Sequence, residues 1–333
     1  MISFDNMIAG RLPYGGIEPA RFDGELSDRF RDAFNAVEAR AAQGSSGFRE
    51  LPRDRALAKR TLKLAETLKG RFDDLVVIGI GGSALGTIAL RDALLHPGWN
   101  ELDRRDRAGR PRLHLMDNPD PDTVSSLLGR LDPGRTLFNV VSKSGGTAET
   151  MALFLVVWDR LTGSLGPGRA CDHVVVTTDA RRGALREVAE SRRLRSLPIP
   201  ESVGGRFSVL SPVGMLPAAL TGIDTGAVLA GADGCLRRCG SAELQENPAG
   251  VLATLLHAAD VDGGAPIQVF MPYADRLRGF AYWVQQLWAE SLAKAVGTDG
   301  EPAMTGPTPL PAFGAADQHS ILQLLMEGPR DKA

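Results

Sequence analysis

The string SKSGGTAET, Ser142 to Thr150, gathers side chains suited to holding a phosphate. Ser142, Ser144 and Thr147 supply hydroxyls, Gly145 and Gly146 free the backbone, and Lys143 lies among them. A helix starting just after would add the positive end of its dipole. A plain Ser/Thr helix cap, which needs only one hydroxyl, is the simpler alternative. The string lacks the GxxxxGK[ST] spacing of a nucleotide loop, so a monophosphate ester is the better ligand. A second glycine-rich string, GIGGSALG from Gly79 to Gly86, also closes an apolar run. It reads as an anion site, as a dinucleotide fingerprint, or as a tight turn alone. The dinucleotide reading wants an acidic residue about 20 positions on. Asp117 lies 31 residues past Gly86, a poor fit.

Three further strings carry titratable or charged groups. In GGRFSVLSPVG, two glycines precede Arg206. Its guanidinium would stabilise oxyanion charge beside a phosphate-sized ligand, or form a surface ion pair. In QQLWAES, Gln286 and Glu290 are four apart and share a helix face. Set among Trp283, Leu287 and Trp288, Glu290 is expected to have a raised pKa, useful to a general base; a solvated face is the alternative. His319 in DQHS opens the last helix after a Gly/Pro-rich loop, a place where a lone histidine is also ordinary structure. Cys235 and Cys239 have no evident third ligand nearby and read as small buried or half-buried thiols rather than a metal site.

The elements that must position these residues follow from hydrophobic spacing. LVVIG (75–79), RLHLM (112–116), TLFNVVS (136–142), HVVVTTD (173–179) and SLPIP (196–200) are short apolar runs with helical segments between most of them. That alternation implies βαβ units and a parallel sheet covered on both faces. Right-handed crossovers bring the strand ends to one edge, where a doubly wound domain binds its ligand. Residues 22–43 and 53–69 have helical spacing ahead of the sheet. Beyond SPVGMLPAALTGID the chain reads as helical to about residue 260, then as a strand PIQVFMP and a long helix RLRGFAYWVQQLWAESLAKAV. A Gly/Pro-rich connection and the helix QHSILQLLME close it. One strand there, with at most another at 301–306, does not complete a parallel sheet. The expected organisation is α/β: an N-terminal helical arm (1–50), a three-layer doubly wound domain (51–225), and the start of a second (226–333).

Composition narrows the class. The 333 residues are 43% hydrophobic and 23% charged, as in an ordinary globular protein. A net charge of −2, from 38 basic and 40 acidic residues, gives no global field for nucleic acid or acidic lipid. No apolar run approaches the roughly 18–20 residues of a membrane span. The opening residues lack a cationic start followed by an apolar block, so a cytoplasmic protein is expected.

Taken in order, GIGGS, SKSGGTAET, GGRFSVLSPVGMLPAALTGID, QQLWAES and DQHS resemble the glucose-6-phosphate isomerase (phosphoglucose isomerase) family, bacterial short type, over about residues 60–330. The resemblance implies two sugar-isomerase (SIS) domains of flavodoxin-like character, the second incomplete here, and no metal or organic cofactor. It implies a phosphate held by Ser142, Lys143 through its backbone, Ser144 and Thr147, with Gly82 and Ser83 nearby. Gly205 and Gln286 match substrate-contacting positions. Glu290 matches the base that moves a proton between C1 and C2 through a cis-enediol, and Arg206 the residue that stabilises the enediolate. His319 matches the histidine that helps open the sugar ring, supplied in the family by the partner subunit of a homodimer, and Glu149 the carboxylate that orients it. The family's chain continues past the position of Ala333 to a ring-opening lysine; Lys332 lies too close to His319 to match it. A fragment of a longer enzyme is therefore expected, with a natural short form as the other reading. The implied activity interconverts glucose 6-phosphate and fructose 6-phosphate. A dual phosphoglucose/phosphomannose isomerase and a non-catalytic sugar-phosphate-binding module are the alternatives, the latter needing neither Glu290 nor His319. A nicotinamide-dependent oxidoreductase would rest on the glycine loop alone.

Overall fold

The computed structural model describes residues 16–333, and the opening segment on which the leader reading rests lies outside the described residues. The chain forms two units: Glu50–Leu229 with Asp275–Trp283, and the described residues up to Arg49 with Ala230–Ala274 and Val284–Ala333. In chain order the principal elements begin with α1 (Ser27–Ala42), α2 (Arg55–Leu68), β1 (Asp74–Ile78), α3 (Leu85–Leu94), β2 (Arg112–Met116) and α4 (Pro121–Arg130). Next come β3 (Thr136–Ser142), α5 (Ala148–Leu165), β4 (Val174–Asp179), α6 (Ala184–Ser191), β5 (Arg195–Ile199) and α7 (Pro212–Thr221). They end with α8 (Thr225–Arg238), α9 (Pro248–Val261), β6 (Ile267–Phe270), α10 (Arg278–Leu292), β7 (Lys294–Val296), β8 (Pro302–Thr305), β9 (Thr308–Pro311) and α11 (Gln318–Glu327).

The first unit is built on a five-stranded parallel sheet of order β2-β1-β3-β4-β5. Each strand falls within a residue of the apolar run read from the sequence. Because side chains alternate along a strand, each run feeds two cores. Val76, Ile78, Phe138, Val140, Val174 and Val176 pack on one face against Leu127 of α4, Phe154 and Val157 of α5 and Leu185 of α6. Leu75, Val77, Leu137, Val175, Leu197 and Ile199 pack on the other against Leu68 of α2 and Val213, Leu216 and Leu220 of α7. This is the three-layer α/β arrangement expected.

Two polar devices trim the sheet at its β2 side. The Asn100 carboxamide donates to the Leu113 carbonyl at 2.9 Å and accepts from the Leu113 N–H at 2.8 Å, standing in for a neighbouring strand. At the start of β1, buried Asp74 takes a two-pronged bond from Arg112 at 2.7 and 2.8 Å and lies 2.9 Å from His114 Nε2.

In the second unit, Leu26, Leu244, Val251 and Leu255 form a small core with Phe22 and Phe30 packed on it. Its parallel pair is β6 and β9, and the end of the chain also bonds to β6, Ile267 N to Asp331 O at 3.0 Å and Val269 N to Ala333 O at 2.8 Å. The long helix was expected to run to Val296, but α10 ends at Leu292 and residues 294–296 become β7. Residues 302–305 do form a strand, β8, but as the antiparallel partner of β7 rather than as part of a parallel sheet. Strand β9 arises inside the stretch read as a connection. Among the described residues no helix is long and apolar enough to cross a membrane.

Candidate active site

Strand order decides where a ligand can sit. From β1 the chain crosses outward to β2, whereas from β3 it proceeds the other way to β4 and β5. The loops after β1 and β3 therefore diverge at adjacent strand ends and leave a crevice there. Both glycine-rich strings occupy that switch point: Gly79–Gly86 follows β1 and Ser142–Thr147 follows β3.

The β3 loop folds its hydroxyls together. Ser142 Oγ lies 3.0 Å from Thr147 Oγ1 and 3.4 Å from Ser144 Oγ, and Ser144 Oγ lies 3.3 Å from Thr147 Oγ1. The Gly145 N–H donates to Ser142 Oγ at 3.1 Å. Thr147 takes the N-cap position of α5 with extended backbone angles, yet its hydroxyl makes no capping bond. The simple helix-cap reading thus fails, and the helix start keeps its dipole directed at the same hydroxyls. Packing fixes the loop: the Leu185 N–H donates to the Gly145 carbonyl at 3.0 Å, and a Cβ on Gly183 would stand 2.4 Å from the Ser144 carbonyl oxygen. Glu149 is exposed in the first turn of α5. The Lys143 side chain leaves the cluster, its Nζ donating to the Glu201 carbonyl at 2.7 Å.

The β1 loop meets the arginine string. A Cβ on Gly82 would fall 2.4 Å from the carbonyl carbon of Gly205 and 2.5 Å from the nitrogen of Arg206, so only glycine allows this approach. Ser83 closes the short 3₁₀ turn beside it. Ser208 Oγ donates to the Gly205 carbonyl at 2.6 Å and reaches the Gly82 carbonyl at 3.4 Å. The Arg206 guanidinium carbon stands 4.8 Å from the centre of the Phe207 ring, and the Trp283 indole N–H donates to the Arg206 carbonyl at 3.3 Å. Behind the string, α7 is buried on nearly every side, which anchors it in the core. Ser208 was not singled out in the sequence, and Trp283 was named only as an apolar neighbour of Glu290; the placement of Ser208 inside the GGRFS string was the available signal.

In the second unit, Gln286 Nε2 donates to Glu290 Oε1 at 3.0 Å, as the i, i+4 spacing required. Glu290 is exposed, so the apolar enclosure expected from its Trp and Leu neighbours is not realised. Of those neighbours, Trp288 stacks edge-on against Phe270. The buried Gln286 Oε1 has no hydrogen-bond partner. His319 is exposed in the first turn of α11, where Asp317 accepts from the Phe313 N–H at 2.8 Å and shapes the entry.

Fold and loops together define a doubly wound α/β protein of the kind that receives a small anionic ligand at its switch point. The profile described as Phosphoglucose isomerase matches residues 63–330. A glucose-6-phosphate isomerase of Rubrobacter xylanophilus is 46% identical over 92% of this chain and 68% of its own length. That of Carboxydothermus hydrogenoformans is 41% identical over 99% of this chain and 71% of its own. Among solved structures, a hypothetical protein from Thermus thermophilus superposes with a TM-score of 0.80 at 38% identity, over 94% of this chain and 70% of that one. The chain belongs to the phosphoglucose isomerase family, and it spans about 70% of the length of these relatives.

Proposed function

We infer that the chain is an aldose–ketose isomerase that interconverts glucose 6-phosphate and fructose 6-phosphate. The family match across residues 63–330 carries this reading, and the three clustered hydroxyls after β3 support it. Ser142, Ser144 and Thr147, with main-chain N–H groups of the loop and of Gly82 and Ser83, would take the phosphate. The carboxylate of Glu290 would remove the proton on C2, leaving an enediolate whose charge Arg206 offsets; with the hydroxyl proton passed from O2 to O1, Glu290 would return its proton to C1. No electron is gained or lost overall, so acid and base groups suffice. His319, oriented by Glu149, would serve ring opening, and Gly205 and Gln286 would contact the sugar. A cytoplasmic homodimer in which His319 acts across the subunit boundary completes the reading.

A coupled assay of fructose 6-phosphate formation, with Glu290→Gln beside the wild type, tests it. Turnover should fall by at least about a thousandfold in the variant, while affinity for glucose 6-phosphate stays within about threefold. Loss of affinity and turnover together would make this helix structural and overturn the role of Glu290.

A further inference from the structure

Lys143 sits between two hydroxyl residues of the β3 loop, where an ammonium would ordinarily be read as a phosphate contact. Its side chain turns away instead, and Nζ donates to the main-chain carbonyl of Glu201 at 2.7 Å. Glu201 follows β5 and opens the short segment that leads through Gly204 and Gly205 to Arg206. The opposite end of that segment is held by the close approach of Gly82 to Gly205 and Arg206. The β1 loop and the β3 loop thus grip the same stretch from two ends. The Asp179 carboxyl at the end of β4 is held below its usual range by the Arg181 N–H, and the nearby Lys143 charge adds to this. Lys143 therefore links the end of β3 to the segment that follows β5.

We propose that Lys143 is a positioning residue whose ammonium ties the phosphate-binding loop to the Glu201–Arg206 segment, so that filling the loop and placing the Arg206 guanidinium become one event. The ammonium acts through the Glu201 carbonyl and not on the phosphate, which only the main chain of Lys143 would meet. This rests on the reading of Ser142–Thr147 as a phosphate cradle. Its consequence is that the phosphate, remote from the reacting carbons, contributes to turnover and not merely to binding.

Hydrogen–deuterium exchange on the whole chain tests it, comparing wild type, Lys143→Met and Lys143→Arg with and without inorganic phosphate. Without ligand, amides 202–207 should exchange on the order of tenfold faster in Lys143→Met and return to near wild type in Lys143→Arg. With phosphate, the wild type should protect both 142–147 and 202–207, whereas Lys143→Met should protect only the first. In isomerisation, Lys143→Met should lower kcat about tenfold with KM within about threefold. Unchanged exchange at 202–207 in Lys143→Met would overturn the tie, and loss of its protection at 142–147 would make Lys143 a direct phosphate ligand. A wild type protected at neither segment would overturn the phosphate reading and the coupling with it. The unliganded comparison would still report the tie by itself.

Discussion

Ser142, Ser144 and Thr147 hydrogen-bond among themselves, an arrangement in which each hydroxyl can rotate its proton outward when an acceptor arrives. Thr147→Val keeps the shape and removes one donor. Affinity for glucose 6-phosphate should fall about tenfold by calorimetry, with the thermal midpoint shifted by no more than about 2 °C, since α5 does not rely on that hydroxyl as a cap. Asp74 offers a second test, one of pH. Burial pushes its carboxyl up, but the hydrogen bonds from His114 and Arg112 outweigh burial and hold it below the usual carboxylate range. Its folded pKa is depressed, so its contribution is present above the unfolded value of about 3.9 and lost as pH falls through the folded value. Urea unfolding should show Asp74→Asn about 2 kcal/mol less stable at neutral pH, Arg112 being partly solvated, with the gap closing in acid. At this scale the sequence was legible for residue types and silent on direction. The hydroxyl string announced itself by spacing, but nothing near Lys143 in the chain foretells a bond to Glu201, and the apolar neighbours of Glu290 along the helix leave it exposed.

Elements were legible where burial acts on both sides. Strands β1, β3 and β4 are almost wholly buried, so their apolar runs stood out and their boundaries followed. The β7–β8 hairpin is the opposite case. All of its strand residues are exposed, it contains Pro302, and each strand has three or four residues. No alternation survives to be read, and pairing across the turn wins over the helical spacing of the preceding run. The packing of short elements around the switch point yields a sharp prediction. Gly82→Ala should displace the Gly205–Arg206 peptide, since the added carbon has no flexible neighbour to push aside. We expect a loss of about 2 kcal/mol in stability and a drop in kcat of at least about tenfold, read by denaturant titration and steady-state assay.

The molecule as a whole was legible through its strings, because five motifs in the same order are far more specific than any one of them. Its division into two units was less so, since the second unit recruits Val284–Ala333 together with segments from the start and middle of the chain. Hydrophobic spacing reports neighbours along the chain, not partners assembled from three stretches. The proposed sharing of His319 is a claim at this scale and has a mixing test. If each site combines Glu290 of one subunit with His319 of its partner, co-refolding equal amounts of Glu290→Gln and His319→Ala subunits should restore about a quarter of wild-type activity. If both residues act within one subunit, the mixture should stay as inactive as its parents.

The amide of Asn100 closes the outer edge of β2 at Leu113 by using its nitrogen and its oxygen at once. Hydrolysis of that single side chain to a carboxylate would remove the donor and set a negative oxygen against the Leu113 carbonyl. A matched pair would become one bond and one repulsion, and the edge of the sheet would lie open to strands of other molecules. Deamidation at that one position would thus tie the solubility of the folded chain to the age of a single side chain.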